Sequence, residues 1–420
     1  MLAHSPPLPL VLNYIDEDHE VTMGDGHGPL LHEHCQCIRK LTAKDEEGIL
    51  LALQHRDRVR CIRFLMPVAN LQNVTMAIDD KFPLLEYLYL EPLIKHDATL
   101  FGMLRVPKTL HAPHLRHLVL KKFAFSIKSR LLTTAVGLVT LSLQNIHPSA
   151  YFPPYDLLQQ LSVMSQLETF GITFHSTVLN PDVETLLPVQ RPNTAPITLP
   201  NLRWFGFKGN SAYLETLLPW IMTPLLDKLQ ISFFDRQTIS SHLLQFMGAA
   251  ENLRFSNTSL TFSMDDVQVM VHPHVGARTY SFYMEVGSTR LDRQVALAVQ
   301  IFNALKTLYT VESLTLKSER PTSRSSSWWG RGIGLDRVRW REFLRSFDNV
   351  KTLRVPRGLV RDLSRSLKPD DEETPMELLP RLEELFIVYS GSDHDADEFT
   401  AFLDARQDAG RPISLTRETI

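Results

Sequence analysis

The apolar residues of this chain recur in one short pattern, in which positions i, i+3 and i+5 are apolar. The pattern begins at Val59, Leu85, Leu115, Leu138, Leu167, Leu202, Leu226, Ala250, Ala277, Val311, Val350 and Leu382. In a chain with 44% apolar residues, such triplets arise by chance at about 9% of positions, so the spacing alone is weak evidence. Its return at intervals of 23 to 39 residues, however, is typical of a repeat.

Proline strengthens the pattern. Five triplets carry a proline two residues before their first apolar position, which is more than 26 prolines in 420 residues would place there by chance: Pro83, Pro113, Pro200, Pro224 and Pro380. Proline has a preset φ and no N–H, so it fits the first residue of a short strand. We therefore expect short strands that begin at these prolines.

Helical spacing fills the stretches between the triplets. Thr42 is the expected N-cap of a helix that places Ile49, Leu50 and Leu53 on one face. Further helices are predicted at 155–164, 211–222, 239–247, 292–308, 340–347, 357–367 and 395–407. Strands and helices that alternate in this way predict an α/β fold, namely a leucine-rich-repeat solenoid, or horseshoe, of about twelve irregular strand–helix units.

Two parts are predicted along the chain. Residues 1–58 form an N-terminal cap, whose PPLPLVLNYI segment is the first strand edge and whose residues 22–41 form a flexible insert. Residues 59–420 form the solenoid, with a disordered loop rich in Ser and Arg at 318–335.

Several repeat segments resemble a known family. The runs APHLRHLVL (112–120), LPNLRWFGF (199–207) and LLPRLEELFI (378–387) resemble the leucine-rich-repeat portion of fungal F-box proteins, from about Ser5 to the C-terminus. The resemblance implies a protein-recognition module that holds the substrate of a cullin-type (SCF) ubiquitin ligase. Nothing before Val59 matches the F-box itself, so a Skp-type adaptor and cullin are expected partners only of a longer form that carries one. The alternative is a stand-alone interaction scaffold without a ligase.

Composition indicates which cellular compartment and which classes of partner to expect. The net charge of −3 disfavours a general nucleic-acid binder, because such proteins cluster Lys and Arg against phosphates. Three cysteines in 420 residues suggest a reducing compartment. No signal peptide and no uncharged apolar run of about 18 residues is visible, so we expect a cytoplasmic or nuclear protein without a membrane partner.

Four segments contain residues of the types that bind ligands. His27, His32, His34, Cys35 and Cys37 lie within eleven residues, but zinc sites usually need a second ligand pair farther along the chain, so we predict no metal. The acidic run 390–398 and the glycines of 330–334 match no binding motif, and no cofactor is predicted. Basic residues between Trp328, Trp329 and Trp340 could stack on RNA, which is the less favoured alternative.

Catalysis is not predicted, because no nucleophile, base and orienting group can be assembled by spacing, and no Ser lies in a GxSxG motif. The expected site is a protein-binding surface instead. Neighbouring side chains alternate along a strand, so residues at i+2 and i+4 of each triplet face away from the core. This rule predicts a concave binding face that includes Tyr87, Tyr89, His117, Trp204, Lys228 and Arg354. Exposed Tyr, Trp and Arg are enriched in protein-binding hot spots.

Overall fold

The computed structural model describes residues 8–14, 41–93, 104–175, 196–234, 239–250, 252–253, 255–274, 280–305, 310–319, 337–368, 378–389 and 399–419. The chain divides into two compact units, Met1–Leu226 (unit 1) and Asp227–Ile420 (unit 2). Each unit is built on a large, mostly parallel sheet, which confirms the predicted α/β class. Within the described ranges, no helix is long and apolar enough to cross a membrane.

The main sheet of unit 1 contains parallel strands that follow one another in chain order. They are β1 (Leu10–Tyr14), β2 (Val59–Pro67), β3 (Tyr87–Leu93), β4 (His117–Lys121), β5 (Thr140–Ile146), β6 (Thr169–Phe174) and β8 (Trp204–Gly209). A separate short pair consists of β7 (Ile197–Thr198) and β9 (Ile221–Met222). The predicted first strand edge is thus β1, which pairs with β2 inside this sheet.

The described helices of unit 1 are α1 (Ala43–Leu53), α2 (Val68–Ala77), α3 (Arg130–Thr134), α4 (Pro154–Leu161) and α5 (Ser211–Leu217). Connections between parallel strands are right-handed, so a sheet whose strands follow chain order carries its crossovers on one face. The helix α2, for example, packs against both β2 and β3. The other face of the unit 1 sheet carries the strand side chains that point away from these crossovers.

The triplets account for the core of unit 1. The six that begin at Val59, Leu85, Leu115, Leu138, Leu167 and Leu202 have all their apolar side chains at most 2% exposed. The predicted cap of α1 is also confirmed. The Thr42 hydroxyl accepts from the Asp45 N–H at 3.2 Å, and the Asp45 carboxylate accepts from the Thr42 N–H at 3.0 Å.

The prolines do not begin the strands, contrary to expectation. Each is the second residue of a turn that ends on the first apolar residue of its triplet. In these turns an N–H donates to the carbonyl three residues earlier: Leu85 to Phe82, Leu115 to Ala112, Leu202 to Leu199, Leu226 to Thr223 and Leu382 to Leu379. Proline suits this turn position because its φ is preset and its missing N–H is not needed. The strand starts two residues after the turn, at Tyr87 in the case of Pro83.

Unit 2 departs from the regular order. Its strands are β10 (Lys228–Phe233), β11 (Asn257–Phe262), β12 (Asp266–His272), β13 (Phe282–Gly287), β14 (Ser313–Ser318), β15 (Thr352–Pro356), β16 (Glu384–Tyr389) and β17 (Ser414–Thr419). In space they run β10-β13-β12-β11-β14-β15-β16-β17, and β12 is antiparallel to both neighbours. A tight turn joins β11 to β12, where the Ser263 hydroxyl accepts from the N–H groups of Asp265 and Asp266.

Helices α6 (Ser241–Ala249), α7 (Leu291–Ala304), α8 (Arg337–Arg345), α9 (Arg357–Leu367) and α10 (Thr400–Asp408) complete the described part of unit 2. Two buried arginines on these helices, Arg341 and Arg406, donate hydrogen bonds to backbone carbonyls outside their own helix. Arg341 donates to the carbonyls of Ser366 and Lys368 at the end of α9, at 3.0 and 3.3 Å. The carbonyls in the last turn of a helix lack helical partners, so the guanidinium satisfies them.

Ten of the twelve predicted triplets place their second and third apolar residues in a strand. The strand predicted for the triplet at Ala250 is wrong, because Leu253 and Phe255 are buried in the connection between α6 and β11. The triplet at Ala277 contributes only Phe282 to a strand, the first residue of β13.

Candidate functional site

The candidate site is the face of the unit 1 sheet opposite its crossovers, which we call the open face. It is formed by the residues at i+2 and i+4 of the triplets, and their register is continuous from strand to strand. Tyr87 pairs with His117, and the row continues through Thr140 and Thr169 to Trp204. The predicted residues Tyr87, Tyr89, His117 and Trp204 therefore lie on one surface.

A half-buried aromatic cluster lies at the β1 side of this face. The Tyr87 and His117 rings are 5.6 Å apart between centroids, and the Arg63 guanidinium lies 5.6 Å from the Tyr87 centroid. His117 Nδ1 is 3.1 Å from the Thr140 hydroxyl. Burial is the main cause that lowers the pKa of His117 below its usual range, with Arg116 adding to it. His117 is therefore neutral at neutral pH, and Arg63 is the charged member of the cluster.

Tyr89 does not have the exposure that the sequence predicted. Its side chain is 1% exposed. The hydroxyl donates to the Glu91 carboxylate, which also forms an ion pair with Lys121 at 2.8 Å, and the Lys121 ammonium lies 5.4 Å from the Tyr89 centroid. Burial and Glu91 both raise the pKa of Tyr89. Tyr89 is thus covered by residues of its own face, and it supports the surface without forming it.

Trp204 lies flat on two glycines of the open face. A Cβ atom at Gly206 would come within 2.3 Å of the Trp204 ring, and one at Gly171 on β6 within 2.8 Å. Such distances are far below van der Waals contact, so the ring occupies the space that side chains would fill at both positions. The two glycines fix the position of the indole, which remains half-buried at the surface.

Gly206→Ala is expected to push the Trp204 indole off the sheet and to lower stability by about 1–3 kcal/mol, the usual cost of overpacking. The ¹⁹F NMR signal of 5-fluorotryptophan at position 204, assigned with Trp204→Phe, should move toward the shift of an exposed indole. Gly137→Ala is the matched control, because no atom lies within 4 Å of a Cβ there. An unmoved signal in Gly206→Ala would contradict the described position of the ring.

The other two predicted residues belong to unit 2. Lys228 is the first residue of β10 and is half-buried. Arg354 on β15 forms an ion pair with Glu418 at 2.7 Å and lies 4.3 Å from the Phe386 centroid. The charge of Arg354 is therefore already balanced by a carboxylate of its own unit.

The sequence analysis did not predict Arg63 as a site residue, although the rule that i+2 and i+4 positions face away from the core selects it. Arg63 stands at i+4 of the triplet that begins at Val59, between Asn13 on β1 and Tyr89 on β3. Its Nε is buried without a hydrogen-bond partner, and no carboxylate among the described residues pairs with its guanidinium. The signal that could have found it was an arginine at an open-face position with no acid at the paired positions of the neighbouring strands.

The remaining chemical candidates are placed as follows. The cluster from His27 to Cys37, the acidic run 390–398 and the glycines of 330–334 lie outside the described residues. Within the described part, no three His, Cys, Asp or Glu side chains are grouped to hold a metal ion. Burial raises the pKa of the Cys61 thiol, which makes it a weak nucleophile. Trp340 is fully buried, so it cannot stack on RNA, whereas Trp328 and Trp329 lie outside the described residues.

Comparison with known proteins leaves the family open. No protein-family model matches the chain, and no curated protein matches it either. The resemblance to the repeats of fungal F-box proteins therefore stays a prediction from the segments quoted above.

Proposed function

We propose that this chain is a protein-recognition scaffold of the leucine-rich-repeat type, with a solenoid built from the triplet units, and that the open face of unit 1 contacts the partner. The observation that carries the proposal is the open face itself. It belongs to a parallel sheet in chain order, and it presents Tyr87, His117, Trp204 and Arg63 in a half-buried state. The proposed role is binding without catalysis.

The physical reason lies in how these side chains are held. Packing against neighbours and glycines fixes the rings before a partner arrives, so little side-chain entropy is lost on binding. A ring that is half-buried still has apolar area to lose to a partner, and aromatic and Arg side chains in such positions dominate many interfaces. Rigid aromatic residues on a regular sheet are therefore well suited to recognition.

The more specific proposal is substrate binding for a cullin-type ubiquitin ligase, and it rests on the sequence resemblance. An adaptor and a cullin would be recovered only with a form that carries an F-box. The alternative is a scaffold that binds the same partner without a ligase. The two differ in one measurement, which is whether adaptor and cullin accompany the partner in a pull-down from the source cell.

The triple variant Tyr87→Ala, His117→Ala, Trp204→Ala should lose the partner of this chain in a quantitative pull-down. The variant should melt at a lower temperature but still fold cooperatively, because the three half-buried side chains lie outside the core between sheet and helices. Truncation of one interface hot spot typically costs about 2 kcal/mol or more of binding free energy, so recovery should fall by more than tenfold.

A matched triple variant serves as the control. Met76→Ala, Tyr155→Ala and Val163→Ala remove exposed large side chains from helices or turns of unit 1, away from the open face. This control should retain the partner. If the open-face variant is folded and recovers the same proteins as the wild type, recognition lies elsewhere and the proposal is wrong.

A further inference from the structure

The strongest unexplained feature of the open face is the charge of Arg63. Elsewhere in unit 1, Arg56 pairs with Asp80, Arg60 pairs with Glu86, and Arg58 donates to the Leu8 carbonyl. Arg63 is half-buried, its Nε is out of contact with solvent, and no described residue accepts a hydrogen bond from it. A half-buried cation without a partner is unfavourable for folding, so an anion from outside the described chain would relieve it.

The surroundings of Arg63 favour an incoming anion. Cys61 and Tyr87 are uncharged at neutral pH, because burial raises the pKa of both. His117 is neutral as well, and Glu91 is the only carboxylate among the described open-face strand residues. Lys121 neutralises Glu91 at 2.8 Å. Glu86 and Glu168 also act on the pKa of His117, but Glu86 pairs with Arg60, and Glu168 is exposed just before β6. An approaching anion therefore meets an unbalanced guanidinium and no unbalanced negative charge on the strands themselves.

We propose that the open face binds an extended acidic peptide segment of a partner protein, with a carboxylate of that segment on Arg63. This rests on the proposed function above. A planar guanidinium suits a carboxylate because two parallel hydrogen bonds can form, and the Tyr87 ring beside it limits its orientation. One unpaired cation matches one carboxylate, whereas RNA binding would need several cations along a phosphate chain.

The spacing of the face sets the length of the segment. From β2, which carries Arg63, to β8, which carries Trp204, the sheet crosses β3, β4, β5 and β6. At about 4.8 Å per strand this is about 24 Å, or about seven residues of extended peptide. The bound segment should therefore carry an acidic residue and, about seven positions away, an apolar residue that covers the Trp204 ring.

Selection from a random twelve-residue peptide display library tests this with the full-length chain. The wild type should enrich peptides in which Asp or Glu lies about seven positions from a large apolar residue. Arg63→Gln should lose the enrichment of the acidic residue and keep that of the apolar residue. Arg60→Gln is the matched control on the same strand, since its guanidinium already pairs with Glu86, and it should select as the wild type does.

A selected peptide then gives the size of the effect. Arg63→Gln in the protein and Glu→Gln in the peptide should each weaken binding by about tenfold, and the double change should cost little more than either, as expected for one charge pair. The proposal is overturned if no acidic residue is enriched, if the enrichment survives in Arg63→Gln, or if the chain selects no peptide but binds oligouridylate through Arg63.

The same selection separates the two levels of inference. The variant Tyr87→Ala, His117→Ala, Trp204→Ala should enrich no peptide. If it selects the same peptides as the wild type, the open face is not the recognition surface and the proposed function fails. If it loses them while acidic residues play no part, recognition by the open face stands and only the acidic partner is refuted.

Discussion

Leu118→Asp is expected to prevent unit 1 from folding. Leu118 is 0% exposed and lies in register between Leu88 on β3 and Leu141 on β5, both of which are also fully buried. The change removes about 1.5–3 kcal/mol of hydrophobic stabilisation and buries a carboxyl group that has no partner there. Its total cost approaches the 5–15 kcal/mol that typically holds a domain together.

Hydrogen exchange read peptide by peptide is the appropriate measurement, because it reports on unit 1 and unit 2 separately. Protection should be lost across β2 to β6 in Leu118→Asp. The control is Leu84→Asp, the same change at a leucine that is 47% exposed in the turn before β3, and it should keep native protection. Equal protection in both variants would mean that the proposed register of the triplets is wrong.

The strands β2 to β6 and β8 of unit 1 could be predicted because the same physical requirement recurs in each triplet unit. A turn ends on one apolar residue, and two alternate strand positions then enter the core, which produces the spacing i, i+3, i+5. The residue eight positions after the first apolar one could not be read in the same way. Leucine-rich repeats usually carry Asn or Cys there, whereas this chain has buried Phe123 and Ile146 at two of these positions. Asn210 lies at a third such position, and its side-chain oxygen caps α5 by accepting from the Ala212 N–H at 2.8 Å.

The antiparallel strand of unit 2 escaped prediction because its pattern has a different period. In β12, Val267, Val269 and Val271 are buried and alternate with polar residues, which is the period of two expected for a strand with one covered face. A search for i, i+3, i+5 cannot find it. The Ser263 turn before it was the local signal, since a serine hydroxyl can close such a turn on following N–H groups.

The face of each site residue could be predicted, but its environment could not. Alternation along a strand correctly placed Tyr87, His117 and Trp204 on the face opposite the core. The burial of Tyr89, however, depends on Lys121 from the next strand. The position of Trp204 depends on Gly171, which lies on the neighbouring strand β6 but far from Trp204 in the sequence. Register between strands determines these contacts, and no local pattern contains it. The same limit hid Arg63, whose importance comes from the lack of an acid at the two positions that pair with it, Asn13 on β1 and Tyr89 on β3.

Trp340→Ala is expected to destabilise unit 2 by about 3–5 kcal/mol, as for other large aromatic residues removed from a core. Trp340 on α8 is fully buried, and its ring meets those of Phe262 and Phe343 edge-on at 5.8 and 5.7 Å. Its indole N–H has no acceptor among the described residues, so Trp340→Phe should cost much less than the alanine change. Urea denaturation with hydrogen exchange over 257–272 and 337–345 measures both, with Val338→Ala, 66% exposed on the same helix, as the neutral control. If Trp340→Ala retained full protection there and lost RNA binding instead, Trp340 would have to be exposed, and the packing of α8 against β11 described here would be wrong.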